Sequence, residues 1–212
     1  MKIGINGGSF NPVHNGHIKL CREFLSLVPL DRIFMIPVSF PPHKQVSFLA
    51  SGEDRMNMLR LALEDEKNIE PCGMELRRGG KSYTVDTVNA LEKIYPDGEF
   101  FLIMGADMFL TLEEWKDAGT LIEKCGICTA ARDDAEVEGL LEHAEKIGVS
   151  RERLYVSDME KMDVSSTMIR RLAAERKSLR GYVPESVERY IYSNNLYCQE
   201  GWEDRDPSRV NE

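Results

Sequence analysis

Gly7-Gly-Ser-Phe-Asn-Pro-Val-His-Asn-Gly-His17 lies between a short apolar run and a helix-like stretch. Its residue types suit an anion. Gly7 and Gly8 permit backbone angles and close approach that side chains would forbid. Backbone N–H groups in such a turn can point at phosphate oxygens. Gly16-His17 opens the following helix, whose N-terminus favours negative charge. His14 and His17 stand three residues apart at this entrance. Imidazoles there can donate hydrogen bonds and carry positive charge near neutral pH. The stretch has neither the Lys-Ser/Thr of a P-loop nor the GxGxxG of a dinucleotide fold. It reads as a nucleotide-phosphate cradle of another kind. On pattern alone, a plain tight turn or a paired-histidine metal site stays open.

A second candidate is Val164-Ser-Ser-Thr-Met-Ile-Arg170. Ser165, Ser166 and Thr167 offer capping hydroxyls and free amides at a helix start. Arg170, one turn inside, adds a forked cation. Taken alone this is an ordinary capped helix with a surface arginine. Between the two stretches lie Pro42-His43-Lys44, Ser82-Tyr-Thr-Val-Asp-Thr87, Gly105-Ala-Asp107, Trp115-Lys116 and Arg132. Lys44 can serve phosphates as a point charge, or be a solvated loop lysine. Asp86 can line a pocket or cap a helix. Asp107 can bind a ribose hydroxyl or be an N-cap. Trp115 can stack on an aromatic ring, or simply pack.

His14-Asn-Gly-His17 resembles the HxGH signature of the nucleotidyltransferase family, and Val164–Arg170 resembles its SSTxIR signature. The two stand in family order, about 150 residues apart. The intervening residues, with Val183-Pro-Glu-Ser-Val-Glu-Arg-Tyr-Ile191, are similar to the bacterial nicotinate-nucleotide adenylyltransferase branch. The likeness runs over residues 2–198, nearly the whole chain. It implies transfer of the adenylyl group of ATP to nicotinate mononucleotide, giving deamido-NAD and pyrophosphate.

By that resemblance His17, His14 and Lys44 are catalytic, and Gly8, Ser9, Phe10, His14, Gly16, His17, Ser165, Ser166, Thr167 and Arg170 hold ATP. Asn6, Gly7, Lys44, Thr84, Asp86, Gly105, Asp107, Trp115 and Arg132 would hold the acceptor. Mg2+ would arrive with ATP, kept by phosphate oxygens and water rather than by protein ligands. The same fold also serves nicotinamide mononucleotide and phosphopantetheine as acceptors. A non-catalytic nucleotide sensor is the remaining alternative. Two positions depart from the family pattern. Arg132 is followed by Asp133-Asp134 where Pro-Gly is common, and Asn11 stands where many members have Asp.

The elements that must carry these residues alternate. Ile3–Asn6, Arg32–Ser39, Glu99–Met104, Cys125–Ala131 and Leu154–Ser157 read as strands, and Glu70–Leu76 as extended. Continuous apolar runs such as Ile33–Val38 and Phe100–Met104 suit strands buried on both faces. Gly16–Leu27, Gly52–Glu66, Val85–Tyr95, Asp134–Ile147, Ser166–Glu175 and Glu185–Ser193 read as helices. Strands separated by helices imply right-handed crossovers and a mainly parallel sheet. The expected fold is α/β, Rossmann-like and doubly wound, with helices on both faces and a small C-terminal helical part. One domain is expected over residues 1–198, its helical portion at about 165–198. The polar, acidic tail 199–212 is expected to be disordered.

The chain has 212 residues and a formal net charge of −9. That balance argues against a general nucleic-acid binder. No apolar run reaches membrane-span length, and the N-terminus begins as a strand rather than a signal peptide. Five cysteines read as reduced thiols of a cytoplasmic protein. Cys125-Gly-Ile-Cys128 reads as a buried structural pair rather than a zinc or redox motif. Homo-oligomerisation stays open.

Overall fold

The computed structural model describes residues 1–40, 49–131, 133–159 and 162–198. Lys44, Arg132 and the tail from Gln199 therefore lie outside the described residues. The strands are β1 (Lys2–Gly8), β2 (Arg32–Pro37), β3 (Ile69–Pro71), β4 (Glu99–Gly105), β5 (Cys125–Ala130) and β6 (Leu154–Ser157). The helices are α1 (Asn15–Leu27), α2 (Gly52–Ala62), α3 (Met74–Arg78), α4 (Thr84–Ile94), α5 (Ala106–Phe109), α6 (Ala118–Lys124), α7 (Asp134–Ile147), α8 (Ser166–Ala174) and α9 (Glu185–Ser193).

The six strands form one sheet in the order β3-β2-β1-β4-β5-β6, and every neighbouring pair is parallel. This is the doubly wound Rossmann-like arrangement. Strand order reverses between β1 and β4, so a crevice opens beyond their carboxyl ends. Ile5 pairs with Leu102. Three residues further along each strand, Gly8 and Gly105 flank that crevice.

Two apolar layers sandwich the sheet. One joins Ile33, Met35, Phe101 and Ile103 to α1, α2, α8 and α9, through residues such as Phe24, Met58, Ile169 and Val187. The other joins Ile3, Ile5, Leu102 and Ile127 to α4–α7, through residues such as Val88, Phe109, Leu121 and Leu140. The C-terminal helices thus share the core that carries α1. Close packing leaves no room at Gly126, where an added Cβ would lie 2.5 Å from the Phe101 ring.

One expected element differs. The chain is extended only over Ile69–Pro71 and then turns into α3 rather than running on to Leu76. Pro71 can donate no ladder bond, and α3 stops at Gly79, whose φ of 68° suits glycine. The CxxC pair is split by the strand pleat. Cys125 faces one layer and Cys128 the other. Burial pushes both thiols up to about 12, so neither presents a reactive thiolate at neutral pH.

Candidate active site

β1 ends at Gly8, and the chain turns through residues 9–13 into α1. Phe10 takes the left-handed region at φ 45° and is buried. Its ring lies beneath Gly8, where an added Cβ would stand 3.2 Å away. The same ring meets His17 edge-on, centroids 5.0 Å apart. His14 caps α1 in extended conformation and stacks on His17, centroids 3.6 Å apart and planes 19° from parallel.

The His14 backbone N–H donates to His17 Nδ1 at 3.2 Å. That bond makes Nδ1 an acceptor and puts the ring proton of neutral His17 on Nε2. Burial lowers the His17 pKa well below the ordinary imidazole value, and charge on His14 lowers it further. Burial also lowers His14, to about 4, against a backbone hydrogen bond that raises it. Before any anion arrives, both rings are therefore neutral at pH 7. They act as hydrogen-bond donors rather than as the cations their residue type allows.

This neutrality has a stability consequence. In the unfolded chain the histidine takes up its proton near 6.5, and folded His14 does so only near 4. The unfolded state binds more protons between those values. The stability contributed by the neutral ring is complete above pH 6.5 and is lost as pH falls toward 4. Each such proton contributes a slope of up to about 1.4 kcal/mol per pH unit. Denaturant titrations across this window will show a shallower fall for His14→Gln than for the unchanged protein. Parallel curves would contradict the assignment.

The second candidate stretch docks on the first. Ser165 caps α8, its Oγ accepting the Met168 N–H at 3.1 Å. Ser166 Oγ donates to the Pro12 carbonyl at 2.9 Å, and Arg170 donates to the Asn11 carbonyl at 2.9 Å and to Thr167 Oγ1 at 3.2 Å. Gly16 explains how the two come so close. A Cβ there would stand 3.0 Å from Val164 Cγ1 and 3.1 Å from His14 Nδ1. His14 Nδ1 and Asn6 Oδ1 are both buried without a hydrogen-bond partner among the described residues. Asn6 Nδ2 meanwhile donates to the Ile103 carbonyl at 2.9 Å, stitching β1 to β4 beneath the crevice.

The remaining sequence candidates stand mostly on the β4 side. Thr84 is the first residue of α4, and Tyr83 is its cap. Asp86 does not cap that helix. Its carboxylate pairs with Lys116 Nζ at 3.4 Å, and Lys116 lies 4.6 Å from the centre of the Tyr83 ring. Asp107 is not a cap either, because Gly105 holds that position and Asp107 stands exposed in the single turn of α5. Trp115 is half-buried against the α4–α7 layer, leaving part of the indole open. Among the described residues no group of three His, Cys, Asp or Glu is placed to hold a metal ion. None of their helices is long and apolar enough to cross a membrane.

Three buried polar residues escape a reading by motif. Arg55 of α2 is 1% exposed and donates to the carbonyls of Ser9 at 2.9 Å, Val38 at 2.7 Å and Ala50 at 3.1 Å. Tyr197, beyond α9, donates to Asn11 Oδ1 at 2.9 Å. Glu75 accepts the Thr87 hydroxyl at 2.5 Å, and Thr87 in turn accepts from Arg78 at 3.0 Å. Burial raises the Glu75 pKa, while bonds from Thr87 and Ser82 lower it. Glu75 thereby anchors Ser82–Thr87. For Arg55 a signal existed, since it shares a helix face with Met58 and Leu59. A charge on an apolar face must find partners.

The family described as cytidylyltransferase-like matches residues 5–172. A relative from Geobacter sulfurreducens, named probable nicotinate-nucleotide adenylyltransferase, is 38% identical over 95% of this chain and 100% of its own length. One of the same name from Shouchella clausii is 37% identical over 92% and 96%. Among solved structures, Plasmodium falciparum nicotinic acid mononucleotide adenylyltransferase complexed with NaAD superimposes with a TM-score of 0.74 at 18% identity, covering 92% of this chain and 97% of that one. At that identity the structural likeness speaks for the fold. The sequence relatives go further, since they match nearly end to end. With both signature stretches meeting over one crevice, this chain belongs to the nicotinate-nucleotide adenylyltransferase family, within the cytidylyltransferase-like group.

Proposed function

We propose that the protein joins ATP to nicotinate mononucleotide, forming deamido-NAD and pyrophosphate in NAD biosynthesis. The observation that carries this reading is the docking of Val164–Arg170 against the Gly7–His17 turn. Ser166 and Arg170 bond the turn itself, and two imidazoles stack at its exit. The acceptor's 5′-phosphate attacks the α-phosphorus of ATP in line, the bond to the bridging oxygen breaks, and pyrophosphate leaves. Both reactants are anions, so positioning and charge stabilisation dominate. No covalent nucleophile is needed.

In this mechanism the Nε2–H of His17 donates to the α-phosphoryl oxygen as charge builds there. Amides of Gly8, Ser9 and Phe10, with Gly16, receive the phosphates alongside His14. Ser165, Ser166, Thr167 and Arg170 close the ATP side. Asn6, Gly7, Thr84, Asp86, Gly105, Asp107 and Trp115 form the acceptor side, with Trp115 stacking on the pyridine ring. Lys44 and Arg132 contribute cations to the phosphates by family resemblance. Nucleotidyltransferases generally use a divalent metal. Mg2+ would enter with ATP, would be held chiefly by phosphate oxygens and water rather than by protein ligands, and would supply neutralisation of phosphate charge. Five free cysteines, three of them buried, fit a cytoplasmic setting.

Acceptor choice is the test. With MgATP, pyrophosphate release is measured for nicotinate mononucleotide, nicotinamide mononucleotide and phosphopantetheine. The expected kcat/KM for the nicotinate form exceeds the amide by at least about tenfold, the discrimination available from one charge-assisted hydrogen bond. Equal values remove the acid-specific assignment. Tight ATP binding without turnover on any acceptor replaces it with a nucleotide sensor.

A further inference from the structure

The nucleotide turn is held from outside by parts of the chain far away in sequence. Asn11 is the point where they converge. Its Oδ1 accepts the Ala50 N–H at 3.0 Å, from the lead into α2. The same oxygen accepts the Tyr197 hydroxyl at 2.9 Å, across 186 positions of sequence. Its carbonyl accepts Arg170 of α8. Tyr197 is 2% exposed and packs in the same apolar layer as Phe10 and Val13, the turn's own buried residues. Burial pushes the Tyr197 phenol up, against the pull of Arg170 and Arg55. The hydroxyl therefore stays protonated and remains a donor.

The line of contact continues to the reacting group. Asn11 is bonded to Phe10, and the Phe10 ring bears on both Gly8 and His17. A packed interior passes such a displacement on, because it has no void to absorb it. Tyr197 itself is buried, so its hydroxyl acts on the turn through Asn11. We propose that Tyr197 is a positioning residue for ATP: through Asn11 its hydroxyl sets the path of Phe10–Val13, and with it the placement of the His14 and His17 rings. This rests on the adenylyltransferase reading above.

Tyr197→Phe removes the hydroxyl and keeps the ring that fills the core. The expected result is a fall of roughly 5- to 10-fold in kcat/KM for ATP, the scale of one buried hydrogen bond. KM for nicotinate mononucleotide stays within about twofold, and Tm moves only a few degrees. The loss is not additive with Asn11→Ala, because both changes break one contact. Asn11→Asp, whose carboxylate still accepts both bonds, retains the ATP parameters. Calorimetric binding of MgATP without acceptor reads the turn independently of turnover, and Kd rises in Tyr197→Phe. If the unchanged protein makes no deamido-NAD but its MgATP affinity still depends on Tyr197, the acceptor assignment falls and the positioning role stands. If turnover is normal and Tyr197→Phe keeps full ATP affinity, or loses ATP and acceptor affinity equally, the positioning role falls.

Discussion

His17→Ala lowers kcat by roughly 10²- to 10³-fold, with KM for ATP changing far less. The His17 ring is braced by Phe10 at its edge and His14 on its face, and its Nδ1 is already committed to the His14 N–H. That leaves one defined donor, the Nε2–H, held without rotational freedom. A donor of that kind costs no reorganisation when charge develops, so its contribution falls in the transition state rather than in substrate binding. In the proposed mechanism ATP binding is shared with backbone amides and α8, which the substitution leaves in place. Glutamine at position 17 restores an N–H donor on a floppier stem and recovers part of the rate. Rapid-quench measurement of AMP transfer separates the chemical step from product release. Near-normal turnover in the alanine variant contradicts the mechanism.

Arg55→Ala destabilises the fold by about 3–5 kcal/mol, the range for stripping one side of a buried charged network. The guanidinium joins three carbonyls from three segments: Ser9 in the turn after β1, Val38 after β2, and Ala50 before α2. Removing it leaves those acceptors facing a void. Lysine does not substitute well, because a single ammonium lacks the planar fork that spans diverging acceptors. Urea unfolding gives the change directly. A loss below about 1 kcal/mol means that water replaces the guanidinium. Its route is the open cleft of about 780 Å3 that Arg55 and Ala50 line with Ser39, Met56 and Leu76.

The central strands were legible in the sequence because a strand buried on both faces carries a continuous apolar run. Ile33–Val38 and Phe100–Met104 show this directly. The two signature stretches were legible because glycines and caps mark turns whatever lies around them. α3 was not legible. Five residues between Gly73 and Gly79 give no helical period, and the preceding Ile69–Pro71 suggested that the extension continues. α5 and α6 are similarly short. The supports of the site were hidden for another reason. Arg55, Glu75 and Tyr197 act on backbone and side chains brought close only by the fold; for Arg55 the apolar helix face signals that partners exist, but local pattern does not say which they are. Asp86 and Asp107 show the reverse case. Both looked like caps, but Tyr83 and Gly105 occupy those positions.

The bonds at Asn11 bear on biosynthesis. The turn lies at the start of the chain, and its clasps, Arg170 and Tyr197, lie at the end of the described fold. During translation the glycine-rich turn emerges well before these clasps and stays without them until Arg170 and then Tyr197 follow. A chain that stops before Arg170 therefore lacks both of these clasps on the turn. The turn's final shape is thus set by contacts that span 159 and 186 positions of sequence.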